Sequence, residues 1–158
     1  MSEREEKFMK MAVTLSRQGM DSGHGGPFGA VVVRGDEVIG TGYNRVLSDR
    51  DPTAHAEIVA IREACSKTTD FSLQGCEIYT SCEPCPMCLG AIYWARPDKV
   101  YYANTRDDAA AAGFDDAFIY EQLQVPAAAR RIPMIAVDYP EAIRVFDSWR
   151  EKPDKHPY

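Results

Sequence analysis

The sequence predicts an α/β fold, a three-layer αβα sandwich around a central, mixed, five-stranded sheet. Three observations predict it. Short apolar runs rich in β-branched residues alternate with segments of helical period. The first two runs, residues 28–33 and 37–41, are separated by Arg34-Gly35-Asp36, a turn that makes them an antiparallel hairpin. The later runs, 77–80, 99–103 and 134–137, are reached through helical segments, which implies crossover connections and parallel neighbours.

Each element has its own warrant. Residues 4–18 place Phe8, Met11, Ala12 and Leu15 on one helical stripe, and Gly19 follows as a C-cap. Residues 21–27 are a glycine-rich loop, and His24 in it is read as a loop residue without a metal role. The run 28–33 is almost wholly apolar, as a central strand covered on both faces would be. Asn44 stands where the next strand ends, a position where asparagine ordinarily serves a turn. Residues 53–65 form a helix with Ala54, Ile58, Ile61 and Cys65 as its apolar stripe and His55 and Glu57 at its first turn. The strand 77–80 delivers the chain to a helix beginning near Cys85. Residues 109–112 make a short turn or helix, 117–123 a short helix, and 140–149 a last helix with Ile143, Phe146 and Trp149 as its apolar stripe. The tail 152–158 is polar and read alone as frayed.

Size and charge bound the function. A chain of 158 residues with 45% hydrophobic content suffices for one domain with a real core. No apolar run is long enough to span a bilayer. The charged start lacks a signal-peptide core, and five cysteines, an odd number, argue against a disulfide framework, so a cytoplasmic location is expected. A net charge of −6 disfavours a non-specific nucleic-acid binder.

Two motifs carry chemistry. Pro84-Cys85-Pro86-Met87-Cys88 starts a helix, where backbone N–H groups and the helix dipole favour thiolates, and Cys-x-x-Cys is a spacing zinc sites use. Read alone it also fits a redox pair or buried structural cysteines. His55-Ala56-Glu57 opens the preceding helix, and helix starts that follow strands gather at one sheet edge. His-x-Glu followed by Pro-Cys-x-x-Cys matches the signature of zinc-dependent nucleobase deaminases. His55, Cys85 and Cys88 then make three protein ligands, the number a catalytic zinc uses while keeping one position for water. Glu57 is the expected proton shuttle, taking a proton from water and delivering protons to a ring nitrogen and to the departing amine. Cys82 supports a rival, a closed structural site with Cys82 as fourth ligand. It lies before the helix, however, and a closed site leaves Glu57 without purpose.

The chain resembles the bacterial guanine deaminases of the cytidine-deaminase-like superfamily over nearly its whole length. The zinc signature marks only the superfamily. Gly25-Gly26-Pro27-Phe28-Gly29-Ala30-Val31, the runs 51–57, 80–97, 112–116 and 118–120, and Arg131-Ile132-Pro133 carry the resemblance, and the runs 88–97 and 113–120 are what point to the guanine branch. The resemblance implies a cytidine-deaminase-like fold, a Zn2+ cofactor, and conversion of guanine and water to xanthine and ammonia. It implies Asn44 and Asp116 as purine contacts and Phe28 and Trp94 as aromatic residues near the base; without it both aromatics read as core. It further implies a homodimer in which the C-terminal segment, 140–158, crosses to the partner and the terminal Tyr158 helps close the partner's site. The segment after Glu151, the loop 45–50 and the stretch 104–108 depart from the family in detail. A tRNA adenosine deaminase shares the signature and stays open as an alternative, as does a zinc-stabilised binding module without catalysis.

Overall fold

The computed structural model describes residues 1–158 and divides into two compact units, Met1–Asp116 and Ala117–Tyr158. The first unit contains α1 (Glu3–Asp21), β1 (Gly29–Arg34), β2 (Glu37–Tyr43), α2 (Val46–Asp49), α3 (Ala56–Thr68), β3 (Cys76–Cys82), α4 (Pro86–Ala95), β4 (Lys99–Asn104) and α5 (Arg106–Ala111). The second contains α6 (Ala117–Gln124), a 3-10 turn (Ala127–Ala129) and α7 (Pro140–Glu151).

The sheet is mixed and four-stranded, in the order β2-β1-β3-β4. β1 is antiparallel to both β2 and β3, and β3 and β4 are parallel. The β3–α4–β4 crossover is therefore the expected parallel unit, while β1 is inserted between β2 and β3. Alternation along the central strands divides the core. Val31, Val33 and Tyr79 pack with Phe8 of α1 on one face. Ala30, Val32 and Ile78 pack with Ala56, Ala60 and Ala64 of α3 and with Ile92 and Ala95 of α4 on the other. The expected three layers are thus present in this unit. Every residue of β1 except Arg34 is buried, as its unbroken apolar run requires.

Three expectations are corrected. The fifth strand, 134–137, does not form. Its residues are irregular, and Ile135 and Val137 are about four-fifths exposed at 79% and 80%. A β-branched run needs a strand beside it to become a strand, and none pairs with this one. Gly19 does not cap α1, which continues to Asp21 and is capped by Ser22. The buried face of α3 is Ala56, Glu57, Ala60 and Ala64, not the stripe through Ile58, Ile61 and Cys65. The reason lies in β2. A Cβ on Gly42 would stand 2.3 Å from the Ala56 carbonyl oxygen, and one on Gly40 2.3 Å from that of Ala60. Two glycines facing a row of alanines let α3 lie directly on the strand, leaving no room for isoleucine on that face.

Candidate active site

The site is built where two helices start. His55 is the N-cap of α3 with extended backbone angles, and Cys85 is the N-cap of α4, followed by Pro86 in the first turn. Cys85 is therefore half a step outside the helix that carries Cys88. Its sulfur turns back to accept the Cys88 backbone N–H at 3.5 Å. That turn brings both sulfurs to His55 Nδ1, each at 3.5 Å. The three donor atoms all lie within 4.8 Å of one another.

This arrangement fits zinc. Tetrahedral Zn–N and Zn–S bonds of about 2.0–2.3 Å place neighbouring ligand atoms about 3.5 Å apart. One imidazole and two thiols are also a borderline-soft set that zinc accepts. The sulfurs are tuned accordingly. The hydrogen bond from Cys88, with help from His55, holds the Cys85 thiol down to about 4. Cys88 is shifted in the opposite sense, upward, because its proton is the one shared with the Cys85 thiolate and because it is buried beside Glu57. His55 is raised by the Cys85 sulfur it bonds. Cys82 does not join the cluster. Its sulfur is directed to the Thr105 carbonyl oxygen at 3.5 Å, and burial pushes its thiol up to about 11. The closed four-ligand site is thus not assembled.

Glu57 lies one residue inside α3, buried, with Oε2 3.4 Å from Cys88 Sγ and Oε1 3.3 Å from Thr80 Oγ1. Desolvation raises its pKa. A carboxyl held this close to the donor set, yet not one of it, is placed to handle protons.

The remaining sequence candidates fall on both sides of the division between units. Asn44 is buried at the end of β2; its N–H donates to the Phe28 carbonyl at 3.0 Å and its Oδ1 accepts from Val46 N–H at 3.1 Å. The next residue, Arg45, donates its N–H to the Ala54 carbonyl at 2.9 Å, tying this corner to the residue before His55. Gly25 lies under Asn44, with an added Cβ only 2.0 Å from Oδ1. Phe28 packs edge-on against Phe114, centroids 5.0 Å apart. Asp116 follows Phe114 by two residues; partial burial raises its pKa, and the Cys85 charge adds to that rise. Trp94, expected near the base, is 65% exposed on α4. Tyr158 ends the second unit and is 72% exposed. The sequence reading missed Phe114 and Thr80. An aromatic straight after Gly113, which has φ +94°, was the available sign for Phe114. Nothing local marks Thr80.

The profile of the cytidine and deoxycytidylate deaminase zinc-binding region matches residues 2–104. The chain belongs to the cytidine and deoxycytidylate deaminase family. The matched region of that family is zinc-binding, and His55, Cys85 and Cys88 form a cluster that could hold the metal. Within the family the chain is 52% identical over 153 residues to the guanine deaminase of Bacillus subtilis, covering 97% of this chain and 98% of that one. The X-ray structure of a Bacillus subtilis guanine deaminase superposes with a TM-score of 0.96 at 51% identity, covering 100% of this chain and 99% of the other. A tRNA-specific adenosine deaminase of Aquifex aeolicus is 40% identical over 98 residues, 62% of this chain and 64% of that protein. The match to the guanine deaminase thus extends through the second unit, while the match to the tRNA enzyme stops short of the full length.

Proposed function

We propose that this protein is a zinc-dependent hydrolase that deaminates guanine to xanthine and ammonia. The observation that carries the reading is the buried Glu57 carboxyl beside a His55–Cys85–Cys88 donor set. The full-length similarity to a guanine deaminase selects the substrate.

Zinc in this donor set supplies Lewis acidity that brings the pKa of water towards neutrality. The protein does the rest. Glu57 Oε2, on the side of the cysteines, accepts a proton from the attacking water. The carboxyl then delivers that proton to the ring nitrogen next to the amine-bearing carbon; it next takes the proton of the hydroxyl added to that carbon and passes it to the amine, so that the C–N bond breaks, ammonia leaves and the carbonyl of xanthine forms. The raised pKa of Glu57 suits a group that must both accept and donate. Asp116 accepts the N–H groups that guanine presents beside the reacting carbon. The Asn44 amide, with Oδ1 already fixed by Val46 N–H, offers its NH2 to a ring acceptor at the imidazole edge. Phe28, backed edge-on by Phe114, packs on the base, and Trp94 flanks it.

We further infer a cytoplasmic homodimer in which both units serve a single deaminase domain. Its segment 140–158 is exchanged with the partner, where Tyr158 closes the site. What supports the exchange is unburied apolar surface. No residue of α7 is buried, although it carries Ile143, Val145, Phe146 and Trp149. On the first unit, Leu89, Tyr93 and Trp94 of α4 and Tyr102 of β4 are exposed as well. Patches of this size are covered in solution by a partner. Five free cysteines, two of them in the metal site, fit a reducing compartment.

The test is product analysis with zinc-loaded protein on guanine and, separately, on unmodified tRNA. Xanthine from the first and no inosine in the second is the expected result. Inosine without xanthine overturns the reading in favour of the tRNA enzyme.

A further inference from the structure

Glu side chains end in a soft torsion, with broad, two-fold preferences about the last bond, so a carboxylate that must meet a reacting atom needs anchoring. Glu57 is gripped at both oxygens. Oε2 faces Cys88 Sγ at 3.4 Å, inside the metal site, and Oε1 faces Thr80 Oγ1 at 3.3 Å, away from it. Thr80 itself is immobile. It is 1% exposed in the middle of the sheet, paired to Ala30 of β1 on one side and to Tyr102 of β4 on the other. Its β-branched side chain is stiff about χ1. The same hydroxyl lies 3.0 Å from the Cys82 carbonyl oxygen, three residues before Cys85.

We propose that Thr80 is a positioning residue of the reaction: its hydroxyl, fixed in the sheet, sets the rotation of the Glu57 carboxyl and so aims Oε2 at the substrate side of the site. This inference rests on the reading of Glu57 as the proton carrier. Thr80 neither gains nor loses a proton. A hydroxyl both donates and accepts, and the Cys82 carbonyl offers its proton a second home. Thr80 therefore remains a partner to Oε1 when the carboxyl is charged and when it is neutral. A valine has the same shape without that property. The sheet position also explains why the anchor is rigid: moving Thr80 means moving β3 against both neighbours.

Two measurements decide it. The first compares the parent, T80V and T80S for zinc per chain, kcat and KM on guanine. The expected result for T80V is a full complement of zinc, an unchanged KM and a kcat lowered about ten- to a hundred-fold, the range for losing one hydrogen bond to a charged group. T80S recovers most of the loss. A purely structural Thr80, serving only the Cys82 turn, gives the other pattern: reduced zinc content or raised KM, with kcat per zinc at the parent value. That pattern overturns the proposal. The second is a double-mutant cycle of T80V and E57Q in the urea unfolding of zinc-free protein. Non-additive midpoint shifts are expected of groups in contact, and additive shifts overturn the proposal. A parent that makes no xanthine overturns the functional reading instead, and the zinc-free cycle then decides by itself whether Thr80 holds Glu57.

Discussion

Glu57, His55, Cys85 and Cys88 differ in how their protons are held, and this makes zinc uptake measurable. In the metal-free protein Cys85 is held at about 4 and gives up no proton at pH 7. Cys88 is raised far above neutrality, so it carries a proton that zinc must displace, and His55 is shifted in the same direction. The bound form therefore holds fewer protons than the free form, and affinity rises with pH. We expect proton release on zinc binding at pH 7, read by calorimetry in buffers of different ionisation enthalpy. Uptake without release contradicts the assignment of the ligands. At the substrate end, Asp116→Asn removes a charged acceptor. Its kcat/KM on guanine is expected to fall about ten- to a hundred-fold with zinc content intact, as for other lost charge-assisted hydrogen bonds. The clustering of His55, Cys85 and Cys88 with Glu57 beside them was legible because two short spacings encode it. Thr80 was not, because what matters is the strand it lies on and the helix facing that strand. Those elements meet across 23 positions of sequence.

Among elements, the helix that carries Glu57 is placed by glycines on a strand. Gly42 of β2 touches the first turn of α3, with an added Cβ 2.3 Å from the Ala56 carbonyl oxygen. Gly42→Ala is therefore expected to cost about 1–3 kcal/mol in urea unfolding. Because α3 starts there, it should also lower guanine turnover by more than it lowers zinc content. An unchanged unfolding midpoint contradicts the packing. Residue periodicity found α1, α3, α4 and four strands, since each buries a face within the first unit. It misassigned the buried stripe of α3, because the choice between alanines and isoleucines depends on what the facing strand lacks. It also counted 134–137 as a strand, because a β-branched run reads the same whether or not a neighbour is present to pair with it.

At the scale of the molecule, the first unit buries its core and the second leaves many of its large apolar residues exposed. Ile132, Ile135, Val137, Tyr139, Val145 and Phe146 are all more than half exposed. Under the proposed exchange, that surface and Tyr158 belong against a partner. Light scattering is expected to give twice the chain mass of 17.6 kDa. Truncation before Lys152 is expected to leave zinc content unchanged and to lower turnover of guanine; unchanged turnover contradicts the role given to the tail. The likeness to the guanine deaminases over nearly the whole length was legible from runs such as 113–120 that lie outside the zinc motif. What covers the exposed apolar residues of the second unit was not, because sequence periodicity marks an apolar face without naming its partner.

Under the proposed function, the buried Glu57 carboxyl beside the His55–Cys85–Cys88 donor set carries the protons in the deamination of guanine. The most direct test is the release of ammonia and xanthine from guanine by zinc-loaded protein, measured beside Glu57→Ala loaded with the same amount of zinc. Stoichiometric xanthine and ammonia are expected from the parent, and a rate lower by roughly 10²–10⁴ or more from the variant. Equal rates from the two proteins, or no xanthine from a fully zinc-loaded parent, would contradict that reading.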